Sequence, residues 1–318
     1  MNESLHPTEI IKGANAETIL ACADHLAYGE LVAVPTETVY GLAADATNGR
    51  AIAAIFEAKN RPSFNPLICH VSDKEMAAKL VEINTVAHTL IDAFWPGPLT
   101  LVLPALPDNG ISELVSAGLE TLAVRMPANE TTRAIITKLG KPIAAPSANI
   151  SGKISPTTAA HVAESLSHRV KIIVDDGPAS EGIESTIIAV EDKKITLLRP
   201  GTITREAIKE ACGLAVALTD TSDIIAPGMM QSHYAPDTPV ILDVETRENS
   251  CFLIGFGEIE GDITLSASGD LKEAASKLFA GLREADKANM SKILVAPIPR
   301  AGLGIAINDR LQRAAAPK

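Results

Sequence analysis

Two cations, Lys59 and Arg61, stand one residue apart at the end of an amphipathic segment, and Pro62 follows directly. In an extended Lys-x-Arg both side chains project from one edge of the backbone, and a proline restricts the residue before it to extended conformations. Arginine offers a planar fork of donors for phosphate oxygens, and lysine a mobile point charge. The pattern predicts a stiff phosphate-binding loop. The alternative is a solvated helix end, because cations also favour helix C-termini.

Two other segments have the pattern of an apolar strand followed by small hydrogen-bonding residues. Residues 31–34 run into the hydroxyl-rich stretch 35–42, and residues 142–145 run into Ser147 and Asn149. Open α/β sheets place ligand sites in such loops. We therefore expect these loops to converge with Lys59 and Arg61 at one edge of a sheet. Ser147 and Asn149 could instead merely cap a turn.

Alternating helical and strand periodicity predicts an α/β domain of about 200 residues. The predicted helices lie near residues 16–27, 50–58, 73–81, 86–94, 131–139, 158–166 and 205–211, and the predicted strands at 31–34, 67–71, 99–103, 122–126, 142–145, 170–174, 185–190 and 196–198.

A stretch with little periodicity, about 218–239, follows and contains Pro227, Pro236 and Pro239. Helix cannot persist through such proline spacing, which indicates a linker. Beyond it, strands at 240–244, 251–254 and 293–296 and helices at 274–288 and 306–315 predict a second, smaller α/β unit.

Composition argues against several classes of protein. A net charge of -11 over 318 residues disfavours a protein that coats nucleic acid. The four cysteines, Cys22, Cys69, Cys212 and Cys251, form no Cys-x-x-Cys pair and are typical of reduced thiols. No membrane-length apolar run and no charged-then-apolar leader occur, so we expect a cytoplasmic protein without membrane contact.

Taken together and in order from about residue 16 to the C-terminus, the motifs resemble the two-domain form of the threonylcarbamoyl-AMP synthase family. The motifs that carry the resemblance are Thr36-Glu37-Thr38-Val39-Tyr40-Gly41-Leu42, Lys59-x-Arg61-Pro62, Pro66-Leu67-Ile68, Trp95-Pro96-Gly97-Pro98-Leu99-Thr100, Arg125-Met126-Pro127, Ser147-Ala148-Asn149, Glu184-Ser185-Thr186, Arg199-Pro200-Gly201, Pro227-Gly228-Met229, His233-Tyr234-Ala235-Pro236, Gly302-Leu303-Gly304 and Asn308-Asp309-Arg310-Leu311.

The resemblance implies an architecture and a reaction. Residues 12–205 would form a YrdC-like catalytic domain with an open, twisted sheet of mixed strand direction, 206–238 a linker that closes over the active site as a lid, and 239–318 a smaller Rossmann-like α/β domain. L-threonine, bicarbonate or carbon dioxide, and ATP would give L-threonylcarbamoyl-AMP and pyrophosphate. Magnesium would accompany ATP, without indicated protein ligands, and no organic cofactor is expected.

The resemblance also implies site residues. Lys59 and Arg61 would stabilise charge between the α-phosphate and the leaving pyrophosphate. The nucleotide site would comprise Lys59, Arg61, Asn65, Thr121, Ser147, Asn149, Ser155, Arg199 and Tyr234. The threonine site would comprise Thr38, Tyr40, His70, Arg125, Ala145 and Ser185, with Arg125 matching the carboxylate.

Several of these residues have a structural alternative. His70 lies in an apolar strand and could be a core histidine. Arg125, also on a strand, needs either a ligand carboxylate or an internal Asp or Glu nearby. Tyr40 could be core packing, and the segment around Tyr234 could be an ordinary surface linker rather than a lid.

Two rival functions remain at this stage. One is an RNA-binding module, which the acidic charge disfavours. The other is a carbamoyltransferase of hydrogenase maturation, for which acylphosphatase-like and zinc-finger segments would be expected. The resemblance further implies a transient downstream partner, a tRNA threonylcarbamoyl transferase complex that modifies the adenosine beside the anticodon of tRNAs reading codons that start with A. Direct tRNA contact is compatible with this role but not required.

Overall fold

The first domain is built on one large sheet. The computed structural model describes residues 8–13, 15–62, 65–219 and 233–317. Most strands are short apolar runs buried on both faces, as expected where helices cover a sheet. In chain order the strands of this sheet are β1 (Glu9–Lys12), β2 (Val32–Val34), β3 (Gly41–Asp45), β4 (Ile68–His70), β5 (Leu99–Pro104), β6 (Thr121–Arg125), β7 (Ile143–Ala144), β8 (Ile172–Asp175), β9 (Thr186–Val190), β10 (Ile195–Arg199) and β11 (Val216–Leu218).

Strand directions in this sheet are mixed, which confirms the predicted fold class. The spatial order is β1-β8-β2-β3-β7-β4-β6-β5-β9-β10-β11. The pairs β1–β8, β2–β8, β4–β6, β5–β9 and β10–β11 are parallel. The pairs β2–β3, β3–β7, β4–β7, β5–β6 and β9–β10 are antiparallel.

Seven of the eight described helices of the first domain begin at capping side chains that accept hydrogen bonds from the first turn, as at Asn15, Asn48, Asn84 and Asn129. In the part of the chain described, none of the helices is both long and apolar enough to cross a membrane. The helices are α1 (Ala16–Ala27), α2 (Gly49–Lys59), α3 (Lys74–Ala77), α4 (Thr85–Phe94), α5 (Glu113–Ser116), α6 (Glu130–Leu139), α7 (Ala159–Leu166) and α8 (Arg205–Cys212).

The observed elements differ from the predicted ones at the predicted linker. Residues 206–218 form most of α8 and all of β11, and β11 pairs in parallel with β10 at the sheet edge. This stretch therefore extends the sheet of the first domain. The motif Pro227-Gly228-Met229 lies outside the described residues.

The second domain is a small parallel α/β unit, as predicted. Its strands β12 (Val240–Ile241), β13 (Cys251–Gly255), β14 (Ile263–Thr264) and β15 (Lys292–Val295) have the order β12-β15-β13-β14. All three pairings are parallel. Helices α9 (Leu271–Lys287) and α10 (Leu303–Ala315) pack with this sheet around a common apolar core.

Candidate active site

A cavity lies at one edge of the first sheet, where the predicted loops meet. It is formed by the loops after β2 and β7, the carboxyl ends of β4, β6 and β10, and the loop before β9. Its volume is about 50 Å³. The lining residues are Thr36, Thr38, Val39, Gly41, Arg61, Ile68, His70, Arg125, Ala145, Pro146, Ser147, Glu184, Ser185, Arg199, His233 and Tyr234.

Lys59 and Arg61 flank a helix end, so the predicted extended Lys-x-Arg loop is wrong. Lys59 is the last residue of α2, and Asn60 caps the helix with a left-handed φ of 51°. Asparagine tolerates this conformation, and helices commonly end on it. The turn still directs both cations to the site. The Lys59 Nζ donates to the carbonyls of Ser147 and Asn149, and Arg61 lines the cavity.

These two cations are deeply buried and are held by neutral groups. Lys59 is 1% exposed and Arg61 is 9% exposed. The Arg61 guanidinium donates to the carbonyls of Asn65 at 3.4 Å and Pro66 at 3.0 Å. Burial lowers the pKa of Lys59 well below its usual value and that of Arg61 to about 10. Since carbonyls carry no formal charge, an anionic ligand here would relieve a costly burial.

Arg125, at the carboxyl end of β6, has an internal carboxylate partner. Its NH2 lies 2.5 Å from Glu37 Oε1, its NH1 donates to Thr38 Oγ1 at 3.0 Å, and its Nε donates to the Gly97 carbonyl at 3.2 Å. Sequence reasoning foresaw that an internal Asp or Glu could serve, but it did not name Glu37. The guanidinium is thus held in a fixed orientation at the cavity wall.

His70 pairs with Arg125 across the parallel strands β4 and β6. Its Nδ1 lies 3.2 Å from the Ile68 carbonyl, which can only accept, so Nδ1 carries the proton. Burial, with Arg125 nearby, lowers the pKa of His70 to about 3. The imidazole is therefore neutral at pH 7, with Nε2 as a hydrogen-bond acceptor.

Ser185 and Arg199, both at the lining, are joined by two hydrogen bonds. The Arg199 NH2 donates to Ser185 Oγ at 3.0 Å, and the Arg199 Nε donates to the Ser185 carbonyl at 3.0 Å. Ser185 Oγ also lies 2.7 Å from Thr100 Oγ1. Burial lowers the pKa of Arg199 to about 10, which leaves the guanidinium charged at pH 7.

Glu184 was not among the predicted site residues, yet it lines the cavity. Its Oε1 accepts from Ser155 Oγ at 2.5 Å and its Oε2 accepts from Arg310 Nε at 2.8 Å. Burial alone would raise the pKa of Glu184, but Arg310 and Arg199 lower it below its usual value. The second domain, through Arg310, therefore neutralises a carboxylate of the first.

His233 and Tyr234 close the cavity from the segment between the domains. Their rings meet edge to face with centroids 4.0 Å apart. Among the residues that the structure describes, the buried atoms Tyr234 Oη and His233 Nδ1 have no hydrogen-bond partner. Burial lowers the pKa of His233 to about 3 and raises that of Tyr234 to about 12, so both are neutral at pH 7.

Other predicted site residues lie behind the wall or away from it. Asn65 and Asn149 touch the site through the carbonyls that hold Arg61 and Lys59, and Ser155 touches it through Glu184. Six predicted residues lie outside the lining: hydrogen bonds link Lys59, Asn65, Asn149 and Ser155 to the site, whereas no described side-chain hydrogen bond does so for Tyr40 and Thr121. Tyr40 is core packing, with its hydroxyl donating to the Gly177 carbonyl at 2.7 Å. Thr121 begins β6, about 13 Å along the strand from Arg125.

Comparison with known proteins covers both domains. A family model described as "Telomere recombination" matches residues 24–201, and one described as "Threonylcarbamoyl-AMP synthase, C-terminal domain" matches residues 203–316. The chain is 41% identical over 325 residues to a threonylcarbamoyl-AMP synthase of Bacillus subtilis, with 95% of this chain and 94% of that protein covered. It is 40% identical over 319 residues to the synthase of Pyrococcus abyssi, with 93% of each covered.

The fold is similar to a solved structure as well. The crystal structure of P. abyssi Sua5 complexed with L-threonine matches with a TM-score of 0.89 and 38% identity, and the match covers 97% of this chain and 98% of that chain. Both domains are included at this coverage. This chain belongs to the threonylcarbamoyl-AMP synthase family.

Proposed function

We propose that this chain synthesises L-threonylcarbamoyl-AMP from L-threonine, bicarbonate or carbon dioxide, and ATP, with release of pyrophosphate. The observation that carries the proposal is the buried pair Lys59 and Arg61, whose described hydrogen bonds go to main-chain carbonyls. Arg125 and His70, which suit an amino acid, line the same cavity as Arg61. The names of the B. subtilis and P. abyssi relatives and the threonine complex of P. abyssi Sua5 support the same reaction.

The nucleotide is assigned to the side of the cavity that holds Arg61 and Arg199. Two guanidinium groups, with Lys59 behind them, are suited to the charge of a triphosphate. Ser147, at the lining, and Tyr234, with its unpartnered hydroxyl, add neutral donors. Asn65, Asn149 and Ser155 support these groups from behind, and Thr121 stays a prediction from the resemblance alone.

Threonine is assigned to the side that holds Arg125. Its carboxylate would use the N–H groups of Arg125 that remain beside Glu37 and Thr38. The His70 Nε2 is an acceptor for the ammonium or hydroxyl group of threonine. Ala145 and Ser185 complete the wall. The two assignments place an amine and a phosphate in one cavity.

The reaction needs alignment and charge neutralisation more than a protein nucleophile. The threonine nitrogen attacks carbon dioxide and loses a proton, which gives a carbamate. A carbamate oxygen then attacks the α-phosphorus, and the bond to the bridging oxygen breaks with its electron pair leaving on pyrophosphate. Arg61 and Lys59 would stabilise the charge that develops between these oxygens, and Tyr234 would exclude water from the mixed anhydride.

Magnesium is proposed to enter with ATP and to neutralise phosphate charge. Glu184, at the lining, and Glu37, the ion-pair partner of Arg125, are both engaged by arginines, so the metal ligands would come from the phosphates. Within the described ranges, no group of three or more His, Cys, Asp or Glu side chains is arranged to hold a metal ion.

The product is an activated carbamate and requires an acceptor. We propose that a separate transferase complex takes it up in a transient contact and modifies the adenosine beside the anticodon of tRNAs that read codons starting with A. The cytoplasm, where ATP and tRNA are available, is the proposed location.

The test is pyrophosphate release from ATP with and without L-threonine and bicarbonate. Release that requires both co-substrates supports the proposal, and Arg61→Ala should slow it by about 100- to 1000-fold, the usual cost of a lost transition-state donor. Arg50→Ala, an exposed arginine at the other end of α2, is the matched control and should retain native release. Release independent of threonine would favour the carbamoyltransferase, and salt-sensitive tRNA binding without release would favour the RNA-binding module.

A further inference from the structure

The second domain reaches the site through one buried arginine. Arg310, in α10, is 0% exposed. Its Nε donates to Glu184 Oε2 at 2.8 Å and its NH1 donates to Asp309 Oδ2 at 2.6 Å. Glu184 in turn accepts from Ser155 Oγ at 2.5 Å. A chain of charged hydrogen bonds therefore runs from α10 to a residue assigned to the nucleotide.

The same arginine supports Tyr234. Its guanidinium carbon lies 5.3 Å from the centre of the Tyr234 ring, within cation–π distance. Phe279, in α9, lies on the ring with centroids 5.4 Å apart. Tyr234 has a φ of 61°, which a bulky side chain adopts only where its surroundings over-determine it. Arg310 and Phe279 supply such surroundings from the second domain.

Apolar contacts also join the site to the second domain. Val39, Ile154 and Ile183 belong to the first domain but pack in the apolar core of the second. Each is the sequence neighbour of a site residue: Thr38, Ser155 and Glu184 respectively. Side chains next to three site residues thus pack against the second domain.

We propose that Arg310 is a positioning residue for the nucleotide, by which the second domain holds Glu184, Ser155 and Tyr234 in place and thereby sets the affinity for ATP. Arg310 supports Ser155 through Glu184 and supports Tyr234 directly. Because both Ser155 and Tyr234 are assigned to the nucleotide, we expect the effect on ATP binding. The described partners of Arg125 and His70 do not include Arg310. This inference rests on the proposed function for its kinetic part.

The test compares Arg310→Met with Arg300→Met in the full chain. Arg300 is a matched arginine of the second domain, 62% exposed and 2.9 Å from Asp243. Arg310→Met should raise KM for ATP on the order of tenfold, as for loss of a charged hydrogen bond, with a smaller change in kcat and in KM for threonine. Arg310→Lys should restore part of the ATP affinity, and Arg300→Met should match the native chain.

A second readout does not depend on turnover. The Ala235 amide donates to the Gly152 carbonyl at 2.8 Å, so hydrogen exchange reports how firmly the Tyr234 segment is held. Arg310→Met should speed amide exchange in residues 233–235, whereas Arg300→Met should not. This measurement remains decisive even if the native chain releases no pyrophosphate, an outcome that would overturn the proposed function alone.

Stability must be separated from positioning. Loss of Arg310 leaves Glu184 buried without its partner and could prevent folding. In that case Phe279→Leu, which removes the ring contact to Tyr234 and leaves Arg310 paired with Glu184, should show the same faster exchange and raised KM for ATP. A folded Arg310→Met with native exchange and native KM for ATP would overturn the proposal. So would equal rises in KM for ATP and threonine together with a lowered unfolding midpoint, since these would indicate general loosening.

Discussion

Arg125 and Glu37 form an ion pair at the cavity wall, with Arg125 NH2 2.5 Å from Glu37 Oε1. The other carboxylate oxygen, Oε2, accepts the amide N–H of Ala128 at 2.9 Å. Both oxygens of Glu37 are therefore engaged by donors, and the carboxylate joins the loop after β2 to the loop after β6. The pair fixes the direction in which the guanidinium faces the cavity.

Neutralising Glu37 should weaken threonine binding. In Glu37→Gln the amide has one oxygen, which cannot accept from both Arg125 and Ala128, so its NH₂ group would face a donor. Arg125 would then turn from its present orientation. We expect the dissociation constant for threonine, measured by titration calorimetry, to rise on the order of tenfold, the equivalent of about 1.5 kcal/mol for a charged hydrogen bond.

Glu191→Gln is the control for this substitution, because that side chain is 67% exposed and contacts only Lys194 in the ion pairs described. It should bind threonine as the native chain does. Tighter threonine binding in Glu37→Gln would contradict the prediction, since it would mean that Glu37 competes with the substrate carboxylate for Arg125.

Elements with a clear apolar period were predictable from sequence, and elements held by their neighbours were not. The period of α2 and α4 located both helices within a residue or two. Strand β3 (Gly41–Asp45) was missed because Gly-Leu-Ala-Ala-Asp has neither alternation nor branched side chains, and its pairing with β2 and β7 imposes the extended form. Strand β11 was likewise assigned to the linker, although its pairing with β10 holds it in the sheet.

The free energy of unfolding should decrease as the pH is lowered, and part of this decrease should depend on His70. Burial, with Arg125 nearby, lowers the pKa of His70 in the fold to about 3, whereas the unfolded chain binds a proton near pH 6.5. Stability from the neutral form is present above pH 6.5 and is lost as pH falls toward 3. Between pH 7 and pH 5 the loss is about 2 kcal/mol for one histidine. His70→Gln should remove this loss in urea unfolding.

His88→Gln is the control, because His88 is 68% exposed and lies on the outer face of α4 beside Asp92. Its free energy of unfolding should change with pH as that of the native chain does. An equal pH dependence in His70→Gln and the native chain would show that His70 is not held neutral in the fold.

The loop that carries Glu184 should tolerate no side chain at Gly182. A Cβ there would lie 2.4 Å from the Ser276 Cα and 2.5 Å from the Ala275 carbonyl oxygen, both in the backbone of α9. Gly182→Ala should therefore lower the free energy of unfolding by about 1–3 kcal/mol for the clash, in addition to the strain of a φ of 72°.

Gly177→Ala separates these two effects. Gly177 has a φ of 84° in the same loop, and a Cβ there would meet no atom within 4 Å. Gly177→Ala should lower the free energy of unfolding only by the backbone strain, about 1 kcal/mol. Equal losses in thermal unfolding of the two variants would show that the loop is not seated against α9.

Site residues close to one another in sequence could be predicted as groups, whereas their partners could not. Arg125 was known to need a counter-charge, but Glu37 lies 88 positions away and only the fold brings them together. Glu184 and Arg310 are separated by 126 positions and by a domain boundary. Both carboxylates stand in motifs that carry the family resemblance, which was the signal available. Tyr40 lies in the apolar core and outside the lining, an alternative that sequence left open because it does not show which way a ring faces.

Tyr234→Phe should separate ligand binding from stability. The hydroxyl is buried, and among the described residues it has no hydrogen-bond partner. Its uncompensated desolvation therefore lowers the free energy of unfolding. Removing it should leave the unfolding midpoint unchanged or raise it, while KM for ATP rises several-fold, up to about tenfold, because one donor to the nucleotide is lost. Tyr28→Phe, at an 85% exposed tyrosine, should change neither quantity. A lowered midpoint with native KM for ATP would show that the hydroxyl serves the fold rather than the nucleotide.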